Sequence, residues 1–515
     1  MISSSVMSKL EFKILSMFPS AVRSRRVVQA IVLLSVIPLI VSCEDDSSAT
    51  SQVPEPPNII IIMADDLGYG DFSGYGARLI QTPHVDRLIR EGRKFNNAHS
   101  PSSICSPTRY GLLTGKYAWR GRLQSGVLES SSTMLIEEGT ETIASYLGDR
   151  GYATGCVGKW HLGFQSTYPV DWNIPLNPGP LEVGFDYYFG VPVSPNLPPF
   201  VYVENYEVVD RKPGEIIEIV DGVEVSGIEE FRRPNEIGRR TTEKAVEFIE
   251  ANRDSPFFLY FATSAVHFPI TPDDEFVGTS GVGDYGDFVH EFDWSVGRIL
   301  DTLDANGLTE NTLIIVTSDN GAWSYFTCDT EHEANGQLKG AKGLLAEGGH
   351  RVPFVARWPG MITESTESDS LVGLIDIFST IATVLDDRVP LDTAQDSMDR
   401  WYAFVDDPEN FPKPELETTI HHSWRGKFAI RAGPWKYIPP QSPKDFSESG
   451  LIVPEADIRS VCEVDFDDMT TPEQLYDLDQ DLRETTNVLN TYPEIAANLN
   501  EMLQFVSEGR VASID

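Results

Sequence analysis

Two places in the chain put acids straight after an apolar run. Asn58-Ile59-Ile60-Ile61-Ile62-Met63 leads through Ala64 into Asp65-Asp66, and Thr312-Leu313-Ile314-Ile315-Val316-Thr317 leads through Ser318 into Asp319-Asn320-Gly321. Continuous β-branched runs mark strands buried on both faces, so each polar pair is expected at a strand's carboxyl end. Carboxylates that close repel unless a cation neutralises them, and an all-oxygen set suits Ca2+ or Mg2+. No Cys/His pair stands nearby, which argues against zinc. One Asp-Asp pair is usually a solvated turn; two such strand ends in one chain are far more specific. Between them lies Cys105-Ser106-Pro107-Thr108-Arg109, opening a helical pattern. Its residue types fit two readings: a thiolate activated at a helix N-terminus, or a buried Cys at a helix start.

Further strand-like runs at 153–159, 257–262 and 353–358 alternate with helical patterns at 82–91, 141–150, 238–252 and 287–307. This alternation implies an α/β fold in which a large, mostly parallel or mixed sheet is sandwiched by helices. In such sheets chemistry gathers beyond the carboxyl ends of the strands, where the motifs fall. After about residue 395 the character changes: 427–438 reads as a hairpin turning at Ala432-Gly433-Pro434, with a short strand at 474–478 and a helix over 492–509. The expected division is a catalytic domain at 58–395 and a smaller C-terminal α+β domain at 396–515 that contains an antiparallel sheet.

Cys105-Ser106-Pro107-Thr108-Arg109 resembles the Cys-x-Pro-Ser/Thr-Arg signature of the type I, arylsulfatase A-like sulfatases of the alkaline phosphatase superfamily, with Thr108 where many members have Ser. Gly158-Lys159-Trp160-His161-Leu162-Gly163 resembles the second signature, and Asp65-Asp66 and Asp319-Asn320-Gly321 occur in the family's order. The resemblance spans about residues 58–490, including Leu475-Tyr476-Asp477-Leu478. It implies an alkaline phosphatase-like fold and hydrolysis of sulfate esters by a formylglycine made from Cys105. It also implies Ca2+, with Mg2+ as the other candidate, held by Asp65, Asp66, Asp319, Asn320 and the modified Cys105. Arg109 would keep nucleophile and metal in register, and Lys159 and His161 would face the nucleophile. His267, in Ala265-Val266-His267, matches a family His although Val266 stands where members often have Pro. Lys342 matches the family's lysine before Glu347-Gly348-Gly349, with Lys339 as its neighbour in competition. His267 or Lys342 would protonate the departing alcohol. Trp119, Arg120, Arg122, Trp323, Tyr325, His350 and Arg351 are candidate pocket groups. Alternatives are a phosphodiesterase or phosphonate monoester hydrolase of the same superfamily, and a non-catalytic glycan-binding relative.

The chain has 515 residues with 40 basic and 78 acidic side chains, a formal net charge of −38, which argues against nucleic-acid binding. Basic residues up to Arg26 precede an apolar run from Val27 to Val41 that ends Leu39-Ile40-Val41-Ser42-Cys43. This reads as a secretory signal over 1–43, and its end resembles a bacterial lipobox that would lipidate Cys43. Residues 44–57 read as a flexible tether. The expectation is an exported enzyme, periplasmic or at the cell surface, touching a membrane only through that anchor. A formylglycine-generating or sulfatase-maturing enzyme is its partner during export, and a sulfated carbohydrate or aryl sulfate is its substrate. Five cysteines make no disulfide framework: of Cys156, Cys328 and Cys462 at most two pair, and Cys156 is expected in a buried strand.

Overall fold

The strands are β1 (Asn58–Ala64), β2 (Arg93–His99), β3 (Ala153–Lys159), β4 (Tyr187–Val191), β5 (Val203–Glu204), β6 (Glu207–Val208), β7 (Glu218–Val220), β8 (Val223–Ser226), β9 (Phe257–Ala262), β10 (Thr312–Ser318), β11 (Arg351–Arg357), β12 (Thr366–Ser368), β13 (Val372–Gly373), β14 (Thr418–His422), β15 (Phe428–Ala432), β16 (Trp435–Ile438) and β17 (Gln474–Asp477). The helices are α1 (Pro83–Glu91), α2 (Cys105–Thr114), α3 (Ile143–Gly148), α4 (Ile237–Ala251), α5 (Asp284–Ala305), α6 (Glu347–His350), α7 (Ile377–Val384), α8 (Trp401–Phe404) and α9 (Pro493–Ser507). These come from a computed structural model that describes residues 56–440 and 472–508, apart from 221, 230, 329, 391 and 392. The expected signal segment with Cys43, nearly all of the expected tether, and Cys462 lie outside the described residues.

The large sheet runs β12-β2-β11-β10-β1-β9-β3-β4-β5-β6. β1 pairs in parallel with β10 and β9, and β3 in parallel with β9 and β4. Every residue of β1 is buried, and its two faces feed two cores. Ile59, Ile61 and Met63 pack with Leu112, Ile143 and Ile377 from α2, α3 and α7, while Ile60, Ile62 and Ala64 pack with Leu88, Ile249 and Val289 from α1, α4 and α5. That double burial is why the strand shows no polar alternation.

β11 runs antiparallel to both β10 and β2. The chain leaves β10 at the carboxyl edge and stays at that edge through residue 350, so β11 begins there and runs back; no crossover helix is needed. β2 is not evident from its residues, Arg93-Lys94-Phe95-Asn96-Asn97-Ala98-His99. Its charges are absorbed by partners instead, Arg93 by Asp406 at 2.6 Å and Lys94 by Glu367 at 2.9 Å.

β14 to β17 form a separate antiparallel sheet. The expected hairpin is β15–β16 and the expected short strand is β17, with α9 packed against β15 and β16. A buried ionic cluster joins this sheet to the large one. Glu347 of α6 lies 3.1 Å from Lys436 of β16, 3.1 Å from Arg351 and 3.2 Å from Arg431 of β15, and Lys436 lies 2.8 Å from Glu484. His99, His350 and His421 fill the space beside it, with the last two rings stacked at 3.6 Å and 12°. Lys436 and Arg431 hold the Glu347 carboxyl well below its ordinary value although burial opposes them. Burial, helped by Lys436, lowers His421 to about 3.

Candidate active site

Backbone hydrogen bonds at the carboxyl edge lock the strand ends together. The Asp319 amide donates to Ala64 O at 3.1 Å, and the Asp65 amide to Ala265 O at 2.8 Å. The Asp66 amide donates to Asp319 Oδ1 at 3.1 Å. Asp66 sits at φ 63° and His161 at φ 57°, left-handed conformations that a non-glycine residue adopts at a cost and that concentrate at functional sites. Gly158 precedes Lys159 at φ +103°, and a Cβ there would lie 1.9 Å from Ala262 O, so only glycine lets β3 deliver Lys159 to this edge.

Helix α2 is buried along its whole length, with Cys105 as its first residue. The sulfur of Cys105 lies 3.6 Å from Asp65 Oδ1 and 3.9 Å from Asp66 Oδ1. One helical turn on, Arg109 donates to Asp319 Oδ2 through Nε at 3.1 Å and Nη2 at 2.7 Å, and to Lys159 O at 3.0 Å. Lys159 Nζ grips both Asp65 oxygens at 3.0 and 2.8 Å. Lys342 Nζ is 2.6 Å from the Asp66 carboxylate, and the Gly343 amide after it donates to Ser103 O at 2.8 Å, tying this loop to the one that leads into Cys105. Lys339 lies over the Tyr476 ring instead.

The two histidines have assigned protons. His161 Nε2 meets Leu128 O at 2.9 Å; a carbonyl only accepts, so Nε2 carries the hydrogen and Nδ1 is left as a buried, unpaired acceptor. His267 Nδ1 donates to Phe268 O at 2.6 Å, which leaves Nε2 facing Asp66 Oδ2 at 3.7 Å. Burial and the charge of Lys159 lower His267 to about 3. Burial alone would raise Asp66, but Lys342, His267 and Lys159 together hold it low; burial and the neighbouring Asp65 push Asp319 up to about 6. Burial also pushes the Cys105 thiol well up, against the pull of Lys159 and Lys342, the direction opposite to an activated thiolate.

This set fits a hard divalent cation. Ligand-type atoms of Asp65, Asp66, Cys105 and His267 lie within 4.8 Å of one another, and Asn320 Oδ1 is a buried oxygen with no hydrogen-bond partner. The three imidazoles of the Glu347 cluster also converge, but ring nitrogens of all three are engaged with Leu345 O, Ser100 O and one another, and Lys436, Arg431 and Arg351 surround them.

The Sulfatase family model matches residues 57–387. An N-acetylgalactosamine-6-O-sulfatase of Bacteroides thetaiotaomicron is 34% identical over 518 residues, covering 92% of this chain and 98% of that one. The chain belongs to the sulfatase family. A rat steryl-sulfatase is 33% identical over 404 residues, covering 67% of this chain and 69% of the relative. Among solved structures, a Bacteroides thetaiotaomicron sulfatase from a locus for metabolism of multiple glycosaminoglycans superposes with a TM-score of 0.79 at 33% identity, over 88% of this chain and 100% of that one. As a sulfatase it is a sulfuric ester hydrolase.

In this sulfatase the residues expected from the motifs, Asp65, Asp66, Cys105, Arg109, Lys159, His161, His267, Asp319, Asn320 and Lys342, come from six segments to one edge. Several expected pocket groups are elsewhere. His350 and Arg351 belong to the Glu347 cluster, Arg120 is bound to Asp396 at 2.6 Å, and Trp119 is buried against Tyr117. Trp323 does border the site, 5.9 Å from Lys342 Nζ. Sequence reasoning passed over two braces. Asp71 accepts from His332 at 2.6 Å and Tyr285 at 2.7 Å, and Ser106 Oγ donates to His161 O at 2.9 Å. Only Ser106, inside the Cys105 motif, carried a sequence signal.

Proposed function

We propose that this sulfatase is exported and removes sulfate from a sulfated carbohydrate, a 6-O-sulfated amino sugar in the first instance, with a formylglycine made from Cys105 and a bound Ca2+. The observation that carries the site assignment is the Cys105 sulfur beside Asp65 and Asp66, with three cationic side chains converging on the same carboxylates. The carbohydrate reading is supported by the bacterial relative named for N-acetylgalactosamine 6-O-sulfate, whose full length this chain matches, whereas the steryl-sulfatase matches over two thirds. Export is supported by the basic residues up to Arg26 and the apolar 27–41 run; among the described residues no helix is long and apolar enough to cross a membrane.

Three carboxylates (Asp65, Asp66, Asp319) and three cations (Arg109, Lys159, Lys342) cancel. A divalent ion, when bound, would supply the surplus positive charge that an anionic ester and a negatively charged nucleophile require. Arg109 fixes the Asp319 carboxylate by two hydrogen bonds, so that this oxygen ligand cannot rotate. Lys159 and Lys342 present positive charge to the sulfuryl oxygens. Hydrated formylglycine offers one hydroxyl to attack sulfur and a second whose deprotonation expels sulfate. The unpaired Nδ1 of His161 is the acceptor for that proton, and Lys342 returns one to the leaving alcohol, a part that His267 Nε2 takes only after it has gained a proton.

Mass spectrometry of the tryptic peptide containing Cys105, with sulfate release from a 6-sulfated N-acetylgalactosamine measured on the same preparation, tests this. A peptide lighter than the thiol by about 18 Da in active protein is expected. An unmodified thiol in active protein sinks the formylglycine, and no sulfate release from modified, Ca2+-loaded protein sinks the substrate class.

A further inference from the structure

Most of the site is closed off. The side chains of Asp65, Arg109 and Lys159 are fully buried and Asp66 is nearly so; only Lys342 at 13% and His267 at 9% reach the outside. An ester must therefore arrive past Lys342 and His267, and its leaving group must remain beside them.

A shelf of rings borders that opening. Phe268 directly follows His267 and is 46% exposed. Its ring stacks on Phe326 at 5.9 Å and 8°, Phe326 meets Trp323 edge-on at 6.0 Å, and Lys342 Nζ sits 5.9 Å from the Trp323 ring. The rings thus span the gap between His267 and Lys342. The segments that lead into Trp323 and Lys342 are tied to each other. A Cβ on Gly321 would lie 1.8 Å from Gly348 O, the Ala322 amide donates to Asn335 at 2.8 Å, the Lys342 amide donates to Ala322 O at 3.0 Å, and Cys328 is disulfide-bonded. Half-exposed aromatics on a fixed loop at a site mouth are costly to leave in water and are pre-organised for a ligand.

We propose that Phe268, Phe326 and Trp323 form the leaving-group subsite of this sulfatase and carry the apolar face of the sulfated pyranose; this rests on the proposed sulfate-ester hydrolysis. The shelf is open on one side. That suits a sugar, which has one apolar face and a hydrated rim, and does not suit a steroid, which needs an enclosing apolar cavity. The sulfuryl group is left to Lys159 and Lys342, so ring and sulfate are recognised by separate groups.

The test compares wild type with Phe268→Ala, Phe326→Ala and the apolar, ring-free Phe326→Leu. The KM for a 6-sulfated N-acetylhexosamine and the inhibition constant of inorganic sulfate are read on each. Each ring's loss should raise KM about 3- to 10-fold with kcat within about twofold, and leave sulfate inhibition unchanged. Phe326→Leu should fall between wild type and Phe326→Ala. KM unmoved in all three variants, or sulfate inhibition weakening in step with KM, overturns the subsite; the second result would make the rings supports of Lys342. If wild type hydrolyses no sulfate ester, the parent reading fails, and the subsite is then scored by calorimetric binding of the same sugar, which Phe326→Ala must weaken.

Discussion

The Cys105 cluster and the Glu347 cluster are both buried, both ionic and both at the carboxyl edge of the large sheet, yet their charges are arranged in opposite senses. At the nucleophile, acid oxygens converge on a common point and the cations stand outside them. Around Glu347, neutral imidazoles converge and three cations ring them against two carboxylates. A divalent ion would relieve the first arrangement and burden the second. Convergence of ligand-type atoms is thus a poor sign of a metal site until the surrounding charge is counted.

The sharpest way to test this contrast is Cys105→Ser. Turnover should fall on the order of 10^4-fold or more with little change in thermal unfolding, because serine lacks the second hydroxyl needed to expel sulfate. A sulfated serine seen by intact-protein mass would support the assignment, and wild-type turnover would refute it. Chelation comes next: activity should drop about 100-fold or more and return with Ca2+. Elemental analysis should give one ion per chain, reduced in Asp319→Asn and unchanged in His421→Gln. A second ion lost in His421→Gln would erase the distinction between the clusters.

Breaking the other cluster should unfold rather than inactivate. Glu347→Ala strands Lys436, Arg431 and Arg351 in the interior and should cost about 3–5 kcal/mol, read as a lower urea midpoint. The smallest effect concerns acid. His421 is lowered to about 3 in the fold against an ordinary 6.5, and His99 and His350 move the same way. The unfolded chain therefore binds protons that the folded one refuses. The stabilisation is complete above pH 6.5 and is lost as pH falls from there toward 3. His421→Gln should flatten the urea midpoint against pH over that window by about one proton; an unchanged slope would show that His421 already titrates in the fold.

The strands that anchor the nucleophile site were legible because both their faces are buried, which leaves an unbroken apolar run in β1, β9 and β10. The acids after them were legible because nothing else explains carboxylates at the end of such a run. β2 was not, since its charges find partners only in the fold. The direction of β11 was not, because composition records burial and says nothing of heading. The misplacement of His350 and Arg351 has the same origin: they are close in sequence to Lys342, but β11 starts in the layer under the small sheet, where Glu347 and Lys436 capture them. Phe326 was invisible because its meaning comes from Phe268, 58 positions away in the chain.

Burial of α2 along its whole length has a consequence in time. Cys105 is 1% exposed, and Gly111 and Gly115 press the helix against Pro101 and Ala394 so that it has no room to swing out. Under the proposed function a second protein converts Cys105, and such a protein has no access to this stretch of backbone once α2 has docked. On the proposed conversion of Cys105, maturation is a race against folding, and a chain that folds first stays unconverted.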